Sequence, residues 1–169
     1  MNKALHTIAW LVGLVLLQAL ILNNVHIAGY ATPFLYVYLL LKFASDTSHR
    51  ALMLWAFVLG LAVDICSDTP GMNAAAAVLM AFVRPYLLER FLKRETVESI
   101  MPSIESMGTA PFLRYAVACI LVHHTALLLI ERLSLAHLPQ LVLHIVSSAL
   151  LTTICVMALE SLNGHRRAH

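Results

Sequence analysis

The feature that most constrains this chain is the recurrence of apolar runs about as long as a bilayer is thick, with charge confined to their ends. About twenty apolar residues in helical form cross the hydrocarbon core of a membrane. Residues 4–22, 51–66, 112–130 and 141–159 approach that length, and 72–88 form a further run that carries Arg84 and Pro85. The stretch GYATPFLYVYLLLKFA, residues 29–44, has a shorter apolar core, Pro33 near its start, and Tyr30, Tyr36 and Tyr38 suited to an interface or a helix contact. It spans, tilts or re-enters. These runs predict an all-α polytopic membrane protein, a compact bundle of six transmembrane helices with five as the alternative, and residues 1–169 as a single integral membrane domain. Composition agrees: 60% of residues are hydrophobic and 12% charged, where a soluble domain carries about a quarter charged residues.

Lysine and arginine placement sets the orientation. With six spans and the N-terminus inside, the cytoplasmic segments hold Lys3, Lys42, Arg50, Arg90, Lys93, Arg94, Arg166 and Arg167, and the outer loops hold only Arg132. The C-terminus is then cytoplasmic, and with five spans only the side of Lys3 changes. The formal net charge of +2, with no basic stripe interleaved with aromatics, gives no ground for nucleic-acid binding. Cys66, Cys119 and Cys155 lie inside apolar runs without a CxxC and read as packing residues, not as a disulfide framework or zinc site. The first run, with only Lys3 before it, reads as a span and not as a cleaved leader.

The longest polar stretch, residues 90–114, reads as a cytoplasmic loop with one amphipathic turn, or as a docking surface for a cytoplasmic partner. Within the spans, ionisable groups are costly and are the first candidates for function. Asp64 lies near the end of its helix, where the macrodipole disfavours an anion. Ala56, Gly60 and Asp64 recur every four residues on one face, and Asn73, Ala77 and Ala81 share that spacing on the next helix. Small residues let two backbones approach closely, and the turn SDTPG makes the helices antiparallel neighbours. Ser67, Asp68 or Thr69 is placed to cap the second helix, with Pro70 in its first turn and Gly71 relaxing the backbone. Asp64 then has two readings that can coexist. It is a hairpin staple receiving the free amides of the next helix and Asn73, or a contact point for a partner.

The remaining polar residues have plainer expectations. Arg84 and Asp64 differ in depth by roughly 15 Å, so they are not partners; Arg84 is expected to snorkel, with Glu89 as a possible partner, and Pro85 to kink its helix. His123, His124 and His144 are expected to make interhelical hydrogen bonds, with His124 and His144 also candidate ligand contacts. They do not complete a metal set, and no metal or cofactor is implied. Glu131 and Glu160 read as span-end residues. No HExxH, GxSxG or Walker A motif is present, and the carboxylates are not placed as an aspartyl protease needs them, so an enzyme is not expected.

The stretch FVLGLAVDICSDTPGMNAAAAVLMAF resembles the signature hairpin of the rod shape-determining protein MreD family. There a Gly precedes an Asp by four residues near a helix end, a short polar turn follows, and Gly and Ala open the next helix; the matching positions are Gly60, Asp64, Gly71 and Ala74. PFLRYAVACILVHHTALLLIERL, with its paired histidines, is also similar to compact forms of that family. The resemblance implies a non-enzymatic scaffold of the bacterial cell-elongation complex in the inner membrane. It also implies association with MreC, indirect links to MreB and the peptidoglycan synthases, and a fold similar to the substrate-binding subunits of energy-coupling-factor vitamin transporters. The alternative function is a small-molecule, vitamin-like substrate-binding subunit of a membrane transporter.

Overall fold

The computed structural model describes Gly13, Val15, Gln18 and residues 32–92, 99–132 and 138–167, with no side-chain description at 132 and 164–167. The expected first span, Lys3, and Glu95 and Glu98 of the polar stretch lie wholly or largely outside the described residues. Six helices occur among the described ones: α1 Val37–Leu41, α2 His49–Ser67, α3 Met72–Phe91, α4 Ile104–Met107, α5 Thr109–Arg132 and α6 Leu138–Arg167. No strand is present among them. Three helical stretches are long and apolar enough to cross a membrane: His49–Ser67, Thr109–Glu131 and Leu138–Asn163. The 20-residue α3 has the length but not the apolarity, because it is rich in alanine and carries Arg84, Glu89 and Arg90.

Polarity is arranged inside out. Gln18, Asp64, Asn73, Arg84, His123, His124, Ser148, Thr152 and Glu160 are buried, while Leu54, Ile65, Val146, Leu150 and Ile154 project outward from α2 and α6. Outward-facing large apolar side chains suit a hydrocarbon solvent, in which polar groups must find partners within the protein.

The α2–α3 hairpin follows from its small residues. Ala56, Gly60 and Asp64 are buried on one face of α2, and Asn73, Ala77 and Ala81 are buried on α3. At Gly60 the backbones touch: a Cβ there would lie 2.5 Å from Ala74 Cα and 2.7 Å from Asn73 O. No side chain fits. The turn uses two left-handed residues, Asp68 (φ 53°) closing α2 and Gly71 (φ 79°) preceding α3. The capping expectation is corrected here. Gly71 holds the N-cap position and contributes no side-chain bond, and Asp68 caps the preceding helix through its N–H to the Asp64 carbonyl. Pro70 stays in the turn before Gly71. Farther on, α3 continues through Pro85 to Phe91.

The described part of the 29–44 stretch is not a continuous helix. Thr32, Pro33 and Phe34 are irregular, a turn follows, and only the five residues of α1 are helical. Tyr36, Val37, Leu40 and Leu41 are completely buried. Non-helical backbone is tolerated at membrane depth only where protein surrounds it and supplies hydrogen bonds, and three side chains do so. Gln18 donates to Pro33 O (2.9 Å) and accepts from Leu35 N (2.8 Å); Ser148 Oγ accepts from Thr32 N (3.1 Å) and Thr152 Oγ1 from Phe34 N (3.0 Å). The described part of this stretch is therefore a buried, irregular segment with one short helix, not a continuous spanning helix.

Candidate functional site

Asp64 lies in the last turn of α2 with its carboxylate turned onto the first turn of α3. Oδ1 accepts from Thr69 Oγ1 (2.8 Å), Asn73 N (3.0 Å) and Asn73 Nδ2 (2.9 Å), and Oδ2 accepts from Ala74 N (2.9 Å). It is only 3% exposed. Among the described residues no cation takes part. The carboxylate acts as the N-cap that Gly71 cannot provide, with the positive end of the α3 dipole beside it. Gly60 brings the two backbones close enough for this, one turn before the acid. Of the five hairpin positions singled out by sequence, Gly60, Asp64, Asn73 and Ala74 thus meet at one point, and Gly71 supplies the turn that delivers Asn73 and Ala74.

From Asn73 the polar contacts continue inward. Asn73 Oδ1 accepts from Tyr36 Oη (3.0 Å), and the Tyr36 hydroxyl oxygen lies 2.6 Å from His123 Nε2. Phe34 lies against both histidine rings, with centroids 6.0 Å from His123 and 5.2 Å from His124. His124 Nδ1 is 2.9 Å from Ile120 O and its Nε2 is 3.1 Å from Thr152 Oγ1. The expected interhelical bond from His124 therefore reaches α6 at Thr152. His144 is half-buried two turns earlier on α6. No group of three or more His, Cys, Asp or Glu able to hold a metal occurs among the described residues.

Arg84 overturns its expectation. It is 1% exposed and does not snorkel; its Nη2 donates to the carbonyls of Leu41 (3.1 Å) and Phe43, at the C-terminal end of α1. Tyr115 Oη donates to Leu41 O as well (3.2 Å), and the guanidinium lies 5.9 Å from the Tyr115 ring centroid. A cation is favourable beside carbonyls left free at a helix end, and this five-residue helix leaves several. Glu89 is exposed and is not the partner.

Glu160 is also more than a span-end residue. It is 5% exposed and accepts from Tyr38 Oη (2.7 Å), Lys42 Nζ (2.9 and 3.2 Å) and Ile104 N (3.3 Å). Asn163 Nδ2 donates to the Tyr38 hydroxyl (3.0 Å). The Lys42–Glu160 pair thereby joins α1 and α6 to the start of α4. Ser148, Thr152 and Glu160 recur at multiples of four on α6, a signal in the sequence from which this inward-facing polarity could have been read.

Comparison with protein-family models, with curated proteins and with solved structures found no match to this chain.

Proposed function

We propose that this chain is a non-enzymatic membrane scaffold of the bacterial cell-elongation machinery, a member of the MreD type that binds MreC through its membrane helices. The single observation that carries the reading is the hairpin. The residues on which the resemblance rests, Gly60, Asp64, Gly71 and Ala74, are the ones that close α2 onto α3, through a backbone contact at Gly60 and a carboxylate cap at Asp64. A buried acid whose four contacts are all hydrogen-bond donors from its own hairpin is occupied with structure, and a rigid hairpin with an apolar outer face suits a helix-binding scaffold. On this reading the chain sits in the inner membrane as a polytopic bundle of six spans, or five where residues 29–44 do not cross, with its C-terminus cytoplasmic. MreB and the peptidoglycan synthases are linked to it through MreC.

Affinity purification from solubilised membranes, with MreC as the protein sought, tests the proposal. Co-purification of MreC in fixed ratio, together with rounding of rod-shaped cells on depletion, is the expected result. Saturable, stoichiometric binding of a vitamin by the purified chain without MreC recovery would instead establish a transport subunit similar to the energy-coupling-factor type.

A further inference from the structure

Four groups run in series from the hairpin into the middle of the bundle: the Asp64 carboxylate, the Asn73 amide, the Tyr36 hydroxyl and the His123 ring. Each has a restricted repertoire of donors and acceptors. An ionised carboxylate only accepts, so Asn73 turns Nδ2 toward Asp64 and Thr69. That orientation presents Oδ1, also only an acceptor, to Tyr36. The phenol has one proton and gives it to Asn73, which leaves its oxygen to accept from His123. His123 is therefore protonated on Nε2. Its buried Nδ1 has no hydrogen-bond partner among the described residues, and in this tautomer it is a lone pair, not a stranded N–H. The reverse assignment would strand that N–H and also deprive Asn73 Oδ1 of its donor, two uncompensated groups in place of one.

The adjacent histidine is held the opposite way. Ile120 O can only accept, so His124 carries its proton on Nδ1. Its Nε2 accepts from the Thr152 hydroxyl, whose oxygen in turn accepts from Phe34 N.

We propose that the negative charge of Asp64 sets the tautomer of His123 through Asn73 and Tyr36, so that an event neutralising the hairpin carboxylate reverses the proton position on an imidazole in the core of α5. The inference rests on these contacts and is independent of the scaffold reading. Asp64→Asn shows the reversal most directly. With the new NH2 turned to Ala74 N the native order persists; with it in the place of Oδ1 the amide donates to Asn73, the Asn73 side chain flips to present Oδ1, and its Nδ2 faces Tyr36. Tyr36 then donates to His123 Nε2, and His123 takes its proton on Nδ1.

Nitrogen-15 NMR of the full chain, labelled at histidine and held in detergent micelles, reads this out, with His123 assigned by the signal lost in His123→Gln. The native protein is expected to show opposite tautomers for the two neighbours, Nε2–H at His123 and Nδ1–H at His124. Asp64→Asn is expected to give His123 a population protonated on Nδ1 that the native protein lacks, and to leave His124 unchanged. Tyr36→Phe, which keeps the ring and removes only the hydroxyl, cuts the series and leaves His123 a mixture of both forms. A native His123 protonated on Nδ1 or on both nitrogens overturns the proposal, as does a His123 tautomer unmoved by both substitutions. If Asp64→Asn does not fold, the native spectrum and Tyr36→Phe decide between these outcomes.

Discussion

Two buried carboxylates hold this bundle, and they are satisfied in opposite ways. Asp64 is surrounded by neutral donors, two of them backbone amides, all within ten residues of it in the chain. Glu160 is met by a cation and a phenol more than a hundred residues away, and by the amide of Ile104, 56 residues away. The first is a fixed cradle, because backbone N–H groups at a helix start cannot turn. The second is adjustable, because a tyrosine hydroxyl rotates and a lysine has a flexible stem. Local, rigid satisfaction and distant, compliant satisfaction should respond differently to the same chemical change.

The largest effect is expected at Asp64. Asp64→Ala strands two buried amides and the Asn73 side chain, at about 1–3 kcal/mol for each unsatisfied group, for a loss of at least about 3 kcal/mol. Asp64→Asn should recover little of it, since its NH2 must face either Asn73 N or Ala74 N. Denaturation of the purified protein in micelles, or its steady-state abundance in membranes, measures both. An Asp64→Asn protein as stable as the native one would break the rigid-cradle description.

At Glu160 the alanine variant is expected to cost about 2–4 kcal/mol, as for breaking a buried pair, discounted because Lys42 is 22% exposed. Here the amide should behave differently. In Glu160→Gln the Tyr38 hydroxyl can rotate to accept from the new NH2 while Lys42 stays on the remaining oxygen, so most of the alanine loss should be recovered. The ratio of amide to alanine effects, high at Asp64 and low at Glu160, is the sharpest form of the comparison.

Gly60→Ala probes what brings the cradle together. The added methyl would meet backbone atoms at 2.5–2.7 Å, and backbone cannot rotate away, so the helices must separate. A loss of about 2–3 kcal/mol is expected, at the upper end for overpacking. It should be markedly less than additive with Asp64→Ala, because spreading the hairpin already weakens the same hydrogen bonds.

The contrast also explains what could be read before folding. The Asp64 hairpin is local: the four-residue recurrence of Ala56, Gly60 and Asp64, and of Asn73, Ala77 and Ala81, fixes which faces meet, and a short turn makes them antiparallel. Its cap was harder to assign, because Ser67, Asp68 and Thr69 are good capping residues by type, yet the turn's left-handed backbone at Asp68 directs them elsewhere. Arg84 and Glu160 were misread for one reason. Their partners are the end of α1 and the residues around it, and α1 is a short helix in a stretch that periodicity left open between spanning and re-entering. Without that segment inside the bundle, a buried arginine has no carbonyls to meet, and snorkelling is the cheaper expectation. Tyr36 stood open between an interface and a helix contact for the same reason, and its contacts with Asn73 and His123 decide for the second.

Gly71 gives the smallest effect and isolates the turn from the contacts. Nothing lies within 4 Å of the position its Cβ would take, but its φ is +79°. Gly71→Ala therefore meets no neighbour and incurs only the backbone penalty of a left-handed conformation, about 1 kcal/mol. Because α3 starts at the next residue, any larger shift must come from rotating Asn73 and Ala74 away from Asp64. Adding Gly71→Ala to Asp64→Ala separates the two causes. A purely conformational penalty persists at about 1 kcal/mol when the carboxylate is gone, whereas a penalty transmitted through the cradle disappears with it.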